Sequence, residues 1–186
     1  MVERKEEGRR KKEGGRGFRK LVAWRKADGL ASAVWQSIQE RELRSKARAR
    51  FGGIHEEELP QWLVSQVMRS ALSVPANIAE GYARGALKDY LRFLDIARGS
   101  LAELEYYLHF LSSNSLLTAD NCAKLSDQAS EVGNILTGLI RSLRVKLQDG
   151  SWDRLRVSED QTEYEANRGS ADLLPSSSDL LPGEEG

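Results

Sequence analysis

One cysteine, Cys122, and two histidines, His55 and His109, are the candidates for metal ligation or for a cysteine nucleophile. A di-iron helical bundle needs Glu-x-x-His pairs on facing helices, but Tyr106 stands three residues before His109. Zinc needs clustered cysteine and histidine ligands, which these residues do not supply. A Cys122–His109 pair is the alternative to an inert thiol, and we favour the thiol because Cys122 lies on an apolar helix face. We predict a protein that is not an enzyme and holds no metal or cofactor.

Basic side chains are the better functional candidates, because lysine and arginine neutralise phosphate groups. Several recur at spacings of three or four, which places them on common helix faces. The alternative for each single residue is an ordinary solvated helix face. As a set we interpret them as a nucleic-acid-binding surface that contacts RNA phosphates with little sequence selectivity. Its candidate residues are Arg19, Lys20, Arg25, Lys26, Arg69, Arg84, Lys88, Arg92, Arg98, Arg141 and Arg144.

Charge is distributed unevenly along the chain of 186 residues, although the formal net charge is zero. Residues 1–26 contain eleven Lys/Arg and four Asp/Glu, whereas residues 151–186 contain three and nine. The intervening residues 27–150 contain fourteen basic and fifteen acidic side chains. A basic arm and an acidic tail therefore flank a nearly neutral core, and the arm is the part suited to approach phosphate.

Apolar residues at spacings of three and four predict four helices that position these side chains. The first begins near Phe18, the second near Pro60, the third near Leu87, and the fourth after Thr118, a suitable N-cap. The predicted apolar face of the first helix consists of Phe18, Leu21, Trp24, Ala27, Ala31, Val34 or Trp35, and Ile38, and that of the second consists of Leu63, Val67, Ala71, Val74 and Ile78. The face of the third helix consists of Leu87, Tyr90, Leu94, Ala97, Leu101, Leu104, Leu108 and Leu111. The face of the fourth consists of Cys122, Leu125, Ala129, Val132, Leu136, Leu139, Leu143 and Leu147. The pattern predicts an all-α fold, an antiparallel up-and-down four-helix bundle over residues 18–148.

The ends of the chain have the composition of disordered segments. Residues 1–17 form a charged, Gly-rich arm, and residues 149–186 form an acidic tail with Gly, Ser and Pro. Packing of Trp152 and Leu155 against the bundle is the alternative for the start of the tail. A single cysteine suits the reducing cytoplasm, and no apolar run is long enough to span a bilayer. We expect a cytoplasmic protein without a membrane partner.

A group of polar residues lies within the second and third helices. Pro75 interrupts the hydrogen bonds of the second helix, yet the apolar spacing continues past it, which predicts a kinked, continuous helix. Asn77 and Glu80 either satisfy backbone groups freed by this proline or form a recognition site, and we favour the structural role. We predict that Ser100 and Glu103 of the third helix likewise fix the packing of neighbouring helices.

Two separated motifs resemble the proteins encoded in intervening sequences of bacterial 23S ribosomal RNA genes. This family includes the accessory variability determinants (Avd) of diversity-generating retroelements. The resemblance covers roughly residues 18–147. The first motif reads Gln66, Arg69, Ala71, Ser73, Val74, Pro75, Asn77, Ile78, Ala79, Glu80 and Gly81. It continues with Arg84, Gly85, Tyr90, Phe93 and Leu94, and the second motif reads Ala97, Gly99, Ser100, Glu103, Leu104 and Glu105.

The resemblance implies a four-helix bundle that assembles as a homopentamer with a positively charged surface. It also implies two branches of function. The Avd members bind a reverse transcriptase and its template RNA, whereas the ribosomal intervening-sequence members have no defined activity. The leading hypothesis is a non-enzymatic oligomeric scaffold for RNA, a reverse transcriptase or both. The alternative is a protein-only self-assembly module, in which the basic arm pairs with the acidic tail. Apolar residues such as Trp35, Leu91, Phe93 and Tyr107 are consistent with a subunit interface.

Overall fold

The computed structural model describes residues 17–50 and 58–152, apart from the side chains of residues 48 and 49. These residues form a short 3-10 turn, Phe18–Lys20, and four long α-helices, with no strand among them. The helices are α1 (Val22–Arg50), α2 (Gln61–Arg84), α3 (Leu87–Ser113) and α4 (Ala119–Asp149). The predicted all-α, four-helix fold is therefore confirmed.

Each helix packs against its neighbours in the chain, and α1 also packs against α4. In diagonally opposite helices of the described chain the Cα atoms do not come within 8 Å of one another, as expected for an up-and-down bundle. The cross-helix pairs show antiparallel order. Arg69 and Ser73 of α2 meet Glu103 and Ser100 of α3, so numbers rise along one helix as they fall along the other.

The core consists of the apolar seams that the sequence predicts. Every predicted seam residue of α2 and α3 is buried, including Tyr90, which is 1% exposed. The α4 seam is also buried through Leu143, but Leu147 is 40% exposed, because it lies in the last turn, where α4 borders an open groove. In α1, Val34 is buried and Trp35 is 48% exposed, so Val34 is the core residue of the predicted pair.

The start of the first helix differs from the prediction. Phe18, the predicted first residue, belongs to the 3-10 turn, and Leu21 is extended with ψ of 127° before α1 begins at Val22. The Phe18 ring packs edge-on against Trp24 with a centroid distance of 5.1 Å. This contact folds the turn back onto α1, so the predicted apolar face holds although the helix begins later.

The described helix joints are short and carry the expected terminal residues. Gly85 ends α2 in the left-handed conformation with φ of 81°, which glycine adopts without a steric penalty. The Thr118 hydroxyl accepts a hydrogen bond from the Asn121 N–H at 3.3 Å, so Thr118 is the predicted N-cap of α4. These two joints fix the antiparallel α2–α3 and α3–α4 pairs.

Parts of the sequence prediction lie outside the described residues. They include the arm up to residue 16 and Leu155 with the rest of the tail. The start of the tail is described: α4 continues to Asp149, and the half-buried Trp152 packs against the core. In the part of the chain that is described, no helix has both the length and the apolar character needed to cross a membrane.

Candidate nucleic-acid interface

Five of the predicted basic residues meet on one face of α3 and α4, which we call the basic face: Lys88, Arg92, Arg98, Arg141 and Arg144. Asp95 lies among them, with its carboxylate 3.0 Å from Arg98 and 3.5 Å from Arg144. These distances tie α4 to α3 at this face. Arg141 lies one helical turn before Arg144 and therefore shares its side of α4. Two of the five cations thus contact one carboxylate.

Three cations of the basic face keep their charge uncompensated. Lys88, Arg92 and Arg141 are exposed and form no ion pair with any described residue. Lys88 and Arg92 lie one turn apart, about 6 Å along the α3 axis. Asp89, the acid between them in the sequence, forms no ion pair with either residue in the described structure. This arrangement presents free positive charge to solvent, as phosphate binding requires.

An open groove runs along the basic face. Lys88, Arg92 and Asp95 line it together with three apolar residues, Leu91, Ile96 and Leu147. Ile96 is 41% exposed, and Leu91 is buried at the base. The groove therefore combines cationic and apolar contacts, which an anionic ligand with apolar parts can satisfy together.

The cations at the start of α1 form a separate group. Arg19 and Lys20 lie in the 3-10 turn, and Arg19 lies 5.8 Å from the Phe18 ring centroid. Arg25 is exposed, and Lys26 pairs with Glu131 of α4 at 2.8 Å. Glu131 lies about 20 Å along α4 from Arg144. The structure therefore divides the predicted surface between two places.

Arg84, at the end of α2, is locally neutralised. Its guanidinium donates a hydrogen bond to the Glu80 carboxylate at 2.6 Å and lies 5.3 Å from the Phe93 ring centroid. This hydrogen bond and the negative charge of Glu80 raise the pKa of Arg84 above its ordinary value. Arg84 and Glu80 therefore act as a pair, and Glu80 does not serve the backbone freed by Pro75.

Arg69 is absent from both basic groups. It donates to the side chain of Gln66 on its own helix and lies 3.5 Å from the Glu103 carboxylate of α3. Its charge therefore joins α2 to α3. Glu103 thus contacts a neighbouring helix, as expected for a residue that fixes helix packing.

A second polar contact joins α2 and α3 next to Arg69. The hydroxyls of Ser73 and Ser100 are hydrogen-bonded at 2.8 Å. The Asn77 amide donates to the Ser73 carbonyl at 2.8 Å and to the Ser73 hydroxyl at 2.9 Å. Asn77 therefore has a structural role, with its bonds directed to Ser73 and not to Ala71, whose carbonyl the ring of Pro75 crowds. The helix continues through Pro75, as predicted.

Gly81 is buried inside α2, four residues before the glycine that ends this helix. A Cβ atom at this position would lie 2.7 Å from the Phe93 Cβ and 3.0 Å from the Tyr90 ring. The position of Gly99 in the second motif, by contrast, is open to solvent. The close approach of α2 and α3 therefore depends on Gly81. Together with Ser73 and Asn77, Gly81 gives the first motif a structural role in packing α2 against α3.

The structure describes Cys122 and His109, two of the three residues considered for metal ligation or catalysis. Cys122 is buried, as predicted, and the exposed His109 ring lies 3.5 Å from the Ser113 hydroxyl. Within the described ranges, no three side chains among His, Cys, Asp and Glu come together as a metal-binding group.

Comparison with known proteins identifies the family. The family model described as 23S rRNA-intervening sequence protein matches residues 19–138. The chain belongs to this family. One solved structure, from Bacteroides thetaiotaomicron, is described as a protein with unknown function from the S23 ribosomal protein family. It is 20% identical, the match covers 64% of this chain and 98% of that chain, and the TM-score is 0.53, which supports the shared fold. No curated protein matches.

The match of the 23S rRNA-intervening sequence family spans the 3-10 turn, the first three helices and most of α4. Arg141 and Arg144 lie beyond its last matched residue, and Lys88, Arg92 and Arg98 lie within it. Sequence reasoning missed the groove residues Ile96 and Leu147 as parts of one site. It also missed Asp95, although its spacing of three from Arg98 is a signal for an ion pair.

Proposed function

We propose that this member of the 23S rRNA-intervening sequence family is a non-enzymatic scaffold that binds RNA through the basic face of α3 and α4. A reverse transcriptase is the protein partner that the resemblance to the Avd branch implies. The proposal rests mainly on one observation. Lys88, Arg92 and Arg141 present three charges without ion pairs among the described residues, on the same face as Asp95, which Arg98 and Arg144 share.

The character of this face favours phosphate contacts over base reading. Its polar groups are cations on helices, which attract phosphate regardless of sequence. Sequence-specific RNA readers instead stack splayed bases on aromatic side chains, and no aromatic residue lines the described groove. We therefore propose binding with little sequence selectivity. The cations at the start of α1 are a second contact for a longer RNA.

Salt dependence of RNA binding tests this proposal. We expect the full chain to bind single-stranded RNA with a log–log salt slope of about −2 or steeper, since each neutralised phosphate contributes about −0.7. Fluorescence anisotropy at several salt concentrations measures the slope. A single-stranded DNA of equal length shows whether the 2′-hydroxyl contributes. Absence of RNA binding at low salt would contradict the proposal.

Exposed apolar side chains favour a second candidate function, a protein-only self-assembly module. Trp62 is 61% exposed, Tyr106 60% and Leu43 66%, and large exposed apolar residues mark protein interfaces when they cluster. Of the interface residues expected from the sequence, Trp35 is exposed, Phe93 and Tyr107 are half-buried, and Leu91 is buried. Leu91 therefore packs within the chain and is not available to another subunit.

Oligomerisation is compatible with both functions, and we propose a homo-oligomer, with a pentamer as the state implied by resemblance. Light scattering at low and high salt, run beside the RNA titration, separates the two functions. Oligomers that form without any RNA affinity favour the protein-only module. Oligomers that bind RNA favour the scaffold.

A further inference from the structure

The groove of the basic face and the point where the described chain ends lie at the same end of α3. The left-handed Gly150, with φ of 69°, ends α4, and the Ser151 N–H donates to the Asp149 carboxylate at 2.9 Å. Trp152 then packs against Tyr90 of α3, with ring centroids 6.4 Å apart. Tyr90 lies between Lys88 and Arg92 in the sequence of α3. The chain is therefore directed to the end of α3 that carries the groove.

The following residues have a charge complementary to the groove. Residues 153–186 contain nine acidic and three basic side chains. Within them, residues 159–165 read EDQTEYE, with four carboxylates, one tyrosine and no basic residue. The groove offers the matching set: the free cations Lys88 and Arg92 beside the apolar Ile96 and Leu147.

The distances permit this contact within one chain. From Lys88 to Ile96 the groove extends about 12 Å along α3. Residue 159 follows Trp152 by seven positions, and an extended chain of seven residues reaches about 24 Å. Tethering at Trp152 also gives the segment a high effective concentration at the groove, on the order of millimolar for a short flexible connection.

We propose that residues 159–165 of the acidic tail dock in the groove of the basic face of the same chain. Their carboxylates pair with Lys88 and Arg92, and the ring of Tyr164 covers the apolar part of the groove. The docked segment occupies the cations assigned to RNA, so the tail competes with RNA for this face. That consequence rests on the proposed function, whereas the docking itself does not.

Crosslinking within the full chain tests the docking without any nucleic acid. The buried native thiol is removed by Cys122→Ser, and new cysteines are placed by Ile96→Cys in the groove and Gln161→Cys in the tail. A short bismaleimide is expected to close a crosslinked monomer. Charge reversal by Lys88→Glu with Arg92→Glu should slow this reaction about tenfold, because it removes two exposed ion pairs. Added salt should slow the reaction as well, because it screens these pairs.

A matched control reverses two exposed charges elsewhere, by Arg44→Glu with Lys46→Glu on α1. We expect this control to leave the crosslinking rate within about twofold, because these residues lie outside the groove and screening limits distant charges. Circular dichroism confirms that each variant is folded. Equal crosslinking rates in the two variants would overturn the docking. Pairing of the tail with the basic arm would give this result. A crosslinked dimer in place of a closed monomer would overturn the assignment to the chain's own tail.

Competition with RNA is measured separately. Replacing the four carboxylates of residues 159–165 with their amides should tighten RNA binding about tenfold. The reason is that the tail then loses the same ion pairs whose loss slows the crosslinking about tenfold. Tighter binding supports the competition. Unchanged RNA affinity with intact crosslinking would overturn the competition and leave the docking standing. If no variant binds RNA, the proposed function is wrong. The crosslinking result then shows separately whether the tail docks in the groove.

Discussion

Replacing Lys88, Arg92 and Arg141 with glutamine is expected to weaken RNA binding about 100-fold at 0.1 M salt. Each phosphate contact on a single strand contributes about 0.7 to the log–log salt slope, so losing three contacts lowers the slope by about 2. Over the tenfold range from 1 M to 0.1 M salt, a slope difference of about 2 corresponds to a difference of about 100-fold in the binding constant. Fluorescence anisotropy of the full chain with a labelled RNA measures both quantities.

These three residues suit the experiment because none has an ion pair among the described residues. Neutralising them leaves no carboxylate unpaired, in contrast to substitution of Arg144 or Arg98, which share Asp95. All three are exposed, so stability should change by no more than about 0.5 kcal/mol for each substitution. A loss of RNA affinity would then report on binding and not on folding.

The matched control removes the same charge elsewhere, by Arg44→Gln, Lys46→Gln and Lys124→Gln. Lys124 already pairs with Asp120 at 2.7 Å, and all three lie outside the basic face. We expect an affinity loss below about tenfold, since long-range attraction is screened beyond about 10 Å at 0.1 M salt. Equal losses in both triple variants would show that net charge, and not the basic face, drives binding.

Gly81→Ala is expected to lower the free energy of unfolding by about 1–3 kcal/mol, the usual effect of overpacking. The new methyl group would lie 2.7 Å from the Phe93 Cβ and 3.3 Å from the Tyr90 carbonyl. Neither atom is the end of a flexible side chain, so α2 and α3 must move apart. Their separation would also weaken the Ser73–Ser100 hydrogen bond between these helices. Urea unfolding followed by circular dichroism measures the change.

Two other helical glycines serve as controls for Gly81. No atom lies within 4 Å of a Cβ added at Gly99 or at Gly138. Because alanine favours helix over glycine, Gly99→Ala and Gly138→Ala should each stabilise the protein by roughly 0.5–1 kcal/mol. Gly81→Ala should thus lower the free energy of unfolding, whereas its two controls should raise it. A stabilising Gly81→Ala would contradict the close approach of α2 and α3.

The helical seams could be predicted from the sequence because their spacing leaves few alternatives. Leu94 and Leu104 follow a strict alternation of three and four, and both are fully buried. Trp35 shows the limit of this reasoning, since hydrophobicity alone did not separate it from the neighbouring Val34. Helix periodicity gives the buried direction only to within a residue where two apolar side chains adjoin.

The candidate site was less predictable, because it depends on which helices are neighbours. Spacing within one helix revealed Lys88 and Arg92 as a pair, but the meeting of Asp95 with Arg144 requires the packing of α3 on α4. The role of Arg69 likewise depends on Glu103 of the adjacent helix. A list of basic residues contains no information about their acidic partners, so the free and paired cations separate only in the folded chain.

Ultraviolet crosslinking of the full chain to a single-stranded RNA, with mass-spectrometric mapping, tests the central claim most directly. We predict crosslinked peptides from α3 around Lys88 to Arg98 and from the end of α4 around Arg141 to Arg144. These crosslinks should disappear in the Lys88, Arg92 and Arg141 triple variant. Crosslinks confined to other parts of the chain, and unchanged in that variant, would contradict RNA binding by the basic face.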